Sequence, residues 1–119
     1  MGAIKRGEVW RFRLDPTVGS ELQKVRPCVI IQRDAANRVS PTTIVCPISS
    51  VKRPNQSNQL NVPIQKGEAG LSQDSVVICN QIRTLDTSRI VGNALGVVSA
   101  QTMILIEDGL RAILDLDNN

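Results

Sequence analysis

The chain has 119 residues, 41% hydrophobic and 21% charged, a balance that excludes a disordered segment and sets the expectation of one globular domain over residues 1–119. Trp10 and Phe12 are the only aromatics and histidine is absent, which excludes base stacking on aromatic side chains as a main device and excludes histidine acid–base chemistry. The net charge of +3 is uneven: residues 1–53 hold ten Lys/Arg against four Asp/Glu, and residues 54–119 hold four against seven. A basic N-terminal half suits a polyanionic partner, although many basic domains bind none.

From Glu8 to Asp15, Trp10, Phe12 and Leu14 alternate with Val9, Arg11 and Arg13, the period of a half-buried strand with the two aromatics turned to the core. Pro16 ends that strand, and Pro16 to Lys24 (PTVGSELQK) reads as a loop. Pro27 to Gln32 is nearly continuous apolar, as expected of a strand in the middle of a sheet. Arg33 to Pro41, with Asp34, Asn37 and Ser40, reads as a turn-rich connection. Thr42 to Ile48 is a β-branched strand, and Ser49 to Gln59 is a polar, basic loop broken by Pro54. Leu60 to Ile64 is a short strand, Gln65 to Asp74 a loop, Ser75 to Leu85 a long strand, and Ile90 to Leu95 a weaker one.

From Ser99 the period changes. Met103, Ile106, Leu110 and Ile113 recur at helical spacing, with Ser99 as N-cap and Thr102 where a capping box would place Glu or Gln. Five or six short strands followed by one helix predict a mostly antiparallel barrel or sheet packed by a terminal helix, and argue against a doubly wound α/β fold. Cys28, Cys46 and Cys79 lie in apolar runs at long spacings, as buried free thiols of a reducing compartment would. No signal peptide and no apolar stretch of membrane-spanning length is visible, so a cytoplasmic protein with no membrane contact is expected.

The chemistry available is narrow. There is no CxxC or HExxH spacing, P-loop or GxGxxG fingerprint, so neither a metal nor a cofactor is expected. Arginine, lysine, carboxylates and hydroxyls remain, a set suited to stabilising a charged phosphorane. RNA fits such a set better than DNA, because its 2′-hydroxyl is a built-in nucleophile that needs no metal-activated water. Arg26, fixed by Pro27 at the mouth of a central strand, is placed for such a phosphate, although the residues alone favour the plainer reading of a surface arginine paired with Glu21 or Asp15.

The runs Gly7-Glu8-Val9-Trp10, Asp15-Pro16-Thr17-Val18-Gly19-Ser20-Glu21 and Val25-Arg26-Pro27-Cys28-Val29-Ile30-Ile31-Gln32 together resemble the signature of the MazF/PemK toxin family. The resemblance continues through Asn37, Ser40-Pro41-Thr42, Ile44 to Ile48, Asp74-Ser75-Val76 and Gln81-Ile82-Arg83-Thr84, covering essentially the whole chain. It implies a mostly β fold with α, a small SH3-like β-barrel of the MazF/PemK/CcdB type with a C-terminal helix, forming a homodimer. It also implies sequence-specific, ribosome-independent, metal-independent cleavage of single-stranded RNA to 2′,3′-cyclic phosphate and 5′-hydroxyl ends, and inhibition by a cognate MazE-like antitoxin with a disordered acidic tail.

Carried over position by position, the family's catalytic arginine falls on Arg26 and its catalytic threonine on Ser49, a departure that keeps the hydroxyl but loosens χ1. Ser50 would take that place if the register slipped by one. Ser20 and Glu21 fall in the loop over the scissile region, where Glu21 could orient Arg26 or help remove a proton, or simply be a solvated carboxylate. Lys52 and Arg53 would contact phosphates or form a solvated pair, and Gln81 and Arg83 would reach RNA or the dimer partner. Two other readings stay open: a gyrase-poisoning toxin on the same barrel, and a nuclease-inactive RNA- or antitoxin-binding module.

Overall fold

The structure is a computed structural model and describes residues 3–50 and 61–116. The alternating N-terminal segment forms β1 (Glu8–Arg13), which lies antiparallel between β2 (Val25–Ile30) and β7 (Ile90–Val97). On its other side β2 pairs with β3 (Thr42–Ser50). Both faces of this sheet are covered, which explains the continuous apolar run of β2. Val9, Val29 and Cys46 enter one core, and Phe12, Cys28, Ile30 and Val45 enter another on the opposite face. Two-sided burial also corrects the expected alternation in β1: Val9 is fully buried, whereas Trp10 is half-buried with its Nε1 donating to Glu8 Oε1 at 3.0 Å.

The segment Ser75–Leu85 was expected as one long strand and is two, β5 (Ser75–Ile78) and β6 (Arg83–Asp86), separated by a 3-10 turn at Cys79–Gln81. The reason is β3. Its first half, Thr42 to Val45, pairs with β6, and its last three residues, Ile48 to Ser50, pair with β5. One straight strand cannot serve both halves of a strand that passes from one sheet into another, so the chain turns between them. With β4 (Asn61–Ile64) on the far side of β5, the order is β4-β5-β3-β2-β1-β7, with β6 on the other half of β3. These seven antiparallel strands make a small barrel-like fold, one strand more than the higher expectation.

The connection at 33–41 contains a single helical turn, α1 (Asp34–Asn37), rather than turns alone. Asn37 explains it: its Nδ2 donates to Gln32 O at 2.9 Å, while its Oδ1 accepts from Gln32 Nε2 and Thr43 Oγ1, both at 2.9 Å. These bonds satisfy a buried amide and tie the turn to β3.

The predicted helix is α2 (Ala100–Leu114), and Met103, Ile106, Leu110 and Ile113 pack on the first core. Ser99 caps it, its Oγ accepting from Thr102 N at 3.1 Å. The carboxylate missing from the local capping box comes from elsewhere in the chain. Glu68 Oε2 accepts from Ser99 N at 3.1 Å and from Thr102 Oγ1 at 2.7 Å, so a distant residue caps the helix. The turn carrying Glu68 sits tightly on β7: a Cβ on Gly96 would stand 2.6 Å from the Ala69 carbonyl carbon, so only glycine permits this approach. Among the described residues no helix is long and apolar enough to cross a membrane.

Candidate functional site

The β2–β3 register pairs Cys28 with Pro47, Val29 with Cys46 and Ile30 with Val45. Continued two residues past Cys28, it sets Arg26 across from Ser49. The ladder itself stops at Cys28, and Pro27 has no N–H with which to extend it. Thus β2 and β3 part where Arg26 emerges, and a half-buried arginine stands at the parting. Arg26 Nε donates to Gln23 O at 3.1 Å, which steadies the guanidinium at one nitrogen and leaves both Nη groups for a ligand.

No carboxylate lies within ion-pair distance of Arg26 among the described residues, whose ion pairs are Arg6–Glu107 and Arg111–Asp108. The expected Arg26–Glu21 partnership is therefore not formed. Instead Glu21 Oε1 accepts from Val18 N at 2.6 Å, because the turn through Gly19, at φ +58°, folds the carboxylate back onto its own loop. Asp15 does not pair with Arg26 either.

The two serines after Ile48 part company. Ser50 lines the cleft that Arg26 walls, together with Ser72, Gln73 and Ser75. Among the described residues Ser49 does not line it, and its Oγ makes a single long bond, 3.5 Å to Ser50 O. A second cleft lies over Pro47 and is lined by Glu21, Asn80, Gln81 and Arg83. Gln81 Oε1 accepts from Leu22 N at 2.9 Å, so this residue also ties the 14–24 loop to the barrel. The foot of that loop is closed by Leu14 N donating to Lys24 O at 2.8 Å. It is clamped by Arg89, whose Nη1 donates to Arg13 O at 3.0 Å and Asp15 O at 2.7 Å. Ser20 is exposed on the loop's outer edge. Lys52 and Arg53 lie outside the described residues.

The structure thus gathers Arg26 and Ser50 in one cleft and Glu21, Gln81 and Arg83 in the next. Ser72, Gln73, Asn80 and the loop clamp Arg89 were not anticipated; none belongs to a charged or glycine-rich motif that would single it out. Cys28, beneath the second cleft, is buried, and burial pushes its thiol up to about 12 against the opposing charge of Arg83. Cys46 is likewise raised, by its hydrogen bond with Cys79 and then by burial. All three cysteines are free, buried thiols and offer no nucleophile. Among the described residues no three acidic or cysteine side chains converge as metal ligands would. What the arrangement can do is bind an anion at Arg26 and present hydroxyls and amides around it.

Comparison with known proteins gives this geometry a context. A curated relative, Endoribonuclease MazF of Staphylococcus epidermidis, is 40% identical, covering 97% of this chain and 94% of that protein. The fold is shared with MazF of Deinococcus radiodurans, at a TM-score of 0.81 and 21% identity over 97% of this chain and 99% of that one. It is shared too with a mycobacterial endoribonuclease solved in complex with its cognate antitoxin, at a TM-score of 0.78 and 23% identity over 98% of this chain and 100% of that one. Residues 5–114 match the model of the PemK-like, MazF-like toxins of type II toxin–antitoxin systems, and the chain belongs to that family.

Proposed function

We propose that this protein is a toxin endoribonuclease that cuts single-stranded RNA at Arg26 without metal or cofactor. The observation that carries the reading is the guanidinium of Arg26, held at Nε, without a carboxylate partner among the described residues, and sharing its cleft with the Ser50 hydroxyl. A bidentate cation fits a phosphodiester and strengthens its hold as charge accumulates on the phosphorane.

In the proposed reaction the 2′-oxygen bonds to phosphorus as the P–O5′ bond breaks. The 2′-hydroxyl proton is lost, the departing 5′-oxygen gains one, and the products are a 2′,3′-cyclic phosphate and a 5′-hydroxyl. Arg26 stabilises the equatorial oxygens, since a group with pKa above about 12 is a poor base. Ser50, which lines the cleft beside Arg26, donates to a phosphoryl oxygen; Ser49, the position the resemblance assigns to that role, would have to turn from Ser50 O to do so. Glu21, whose Oε1 accepts from Val18 N, shapes the 14–24 loop in this scheme, and proton removal by its carboxylate would fall to Oε2. Ser20, Gln81 and Arg83 line the path of the strand, and Lys52 and Arg53 add phosphate contacts that position it without reading bases.

The reading extends to partners. An antitoxin with an acidic tail would compete for the same basic half, and a homodimer would bury the exposed Val97, Ile104 and Leu105. The test is to incubate the purified protein with mixed-sequence single-stranded RNA in EDTA and map the ends. Cyclic phosphate and 5′-hydroxyl termini are expected; no cleavage across varied sequences would overturn the reading, and cleavage abolished by EDTA would overturn the metal-free chemistry.

A further inference from the structure

The cleft walled by Arg26 differs from a phosphate groove in its make-up. Among the described residues Arg26 is the only charged group lining it; the other described walls are apolar, with Val25, Pro27, Ile48 and Leu71, or carry uncharged hydroxyls and one amide. That amide is Gln73. Apolar walls with an uncharged polar rim suit a nucleobase, whose faces are hydrophobic and whose edge offers donors and acceptors. With Phe12 fully buried and Trp10 half-buried and bonded to Glu8, an aliphatic slot is the seat this molecule offers an unstacked base near Arg26.

Gln73 is exposed, and its side-chain amide makes no hydrogen bond among the described residues, while its backbone carbonyl is bonded and residues on either side of it are tied down. Its carbonyl accepts from Ser75 Oγ at 2.9 Å, the preceding Leu71 N donates to Glu68 O at 3.0 Å, and the following Asp74 Oδ1 accepts from Lys66 N at 2.8 Å. An unbonded amide on a tethered backbone can turn one donor pair and one acceptor toward a base edge, the complement that reading such an edge uses.

We infer that Gln73 is a specificity-determining residue that hydrogen-bonds the base of the nucleotide adjoining the phosphate held by Arg26. The inference rests on the endoribonuclease reading above. It assigns sequence preference to one face of the cleft and leaves turnover to Arg26 and the β3 serines.

The test digests a pool of single-stranded RNA with a randomised segment, in EDTA, using the wild type, Gln73→Ala and Gln73→Glu, and sequences the cut ends. Thermal melting confirms that each variant is folded. Cleavage should be redistributed among sequences rather than lost at all of them: preference at one position next to the cut falls ~10-fold in Gln73→Ala and moves to a different base in Gln73→Glu, which keeps acceptors and loses donors. An unchanged preference in both variants overturns the inference, as does a uniform loss of cleavage at all sequences. If the wild type leaves the pool intact, the endoribonuclease reading itself fails.

Discussion

Replacing Arg26 by alanine removes the guanidinium from the cleft and should separate catalysis from folding. The structural cost is small. The side chain is half-buried and, among the described residues, makes one hydrogen bond, Nε to Gln23 O at 3.1 Å, and no ion pair. Losing one such bond costs about 0.5–1.5 kcal/mol, a shift of only a few degrees in melting temperature for a domain of this size. The catalytic cost is much larger. Both Nη groups are available to a phosphoryl group, and removing one preorganised donor to a developing oxyanion costs about 10²–10³ in rate, or about 2.7–4 kcal/mol. Arg26→Lys should recover little of it, because an ammonium keeps the charge and loses the fork. Initial rates on a mixed-sequence single-stranded RNA, beside melting curves of the same samples, make the measurement. A folded Arg26→Ala protein that cuts at near the wild-type rate would refute the placement of the chemistry at Arg26.

Ser50→Ala should slow cleavage by about 10–100-fold, the worth of one hydrogen bond to a charged oxygen; if instead Ser49→Ala alone is slow, with Ser49→Thr neutral or faster, the hydroxyl is Ser49, as the resemblance implies. Asn37→Ala should destabilise by about 2–4 kcal/mol in urea unfolding, since Gln32 O and the fully buried Thr43 hydroxyl both lose partners; a cost under about 1 kcal/mol would contradict the network. The Asp34 carboxyl is held below its ordinary 3.8 by the Arg6 backbone N–H and then by Asn37. Its contribution is present above that ordinary value and fades as pH falls through the lower folded value. Asp34→Asn should therefore flatten the acid-side decline in melting temperature between about pH 5 and about pH 2, and an unaltered slope would argue against that bond.

Much of the site was legible because its parts are local in the chain. Arg26-Pro27 at the head of an apolar run, and a Gly-Ser-Glu loop before it, are neighbours in sequence and remain neighbours in space. The pairing of Glu21 with Arg26 was not, because nearness in sequence does not say which backbone N–H a carboxylate will meet first. In the fold it meets that of Val18. Ser49 and Ser50 were indistinguishable as letters; only the exit of β3 from one sheet into the other turns Ser50 toward the cleft. Gln73 was invisible, since an exposed glutamine in a loop carries no pattern, and its interest comes from the cleft it lines.

By itself the amino-acid sequence determined the strand and helix periods, the apolar face of α2, the N-cap at Ser99 and the histidine-free chemistry, all of which follow from residue type and spacing along a few turns or pleats. Tertiary structure decided what depends on partners far along the chain. Glu68 completes the cap of a helix more than thirty residues away. Val9 is buried because both faces of its sheet are covered, and the 75–85 segment breaks because β3 must serve two partners. Local spacing sets what a segment can become, and the surfaces packed against it determine which side chains are left facing a ligand.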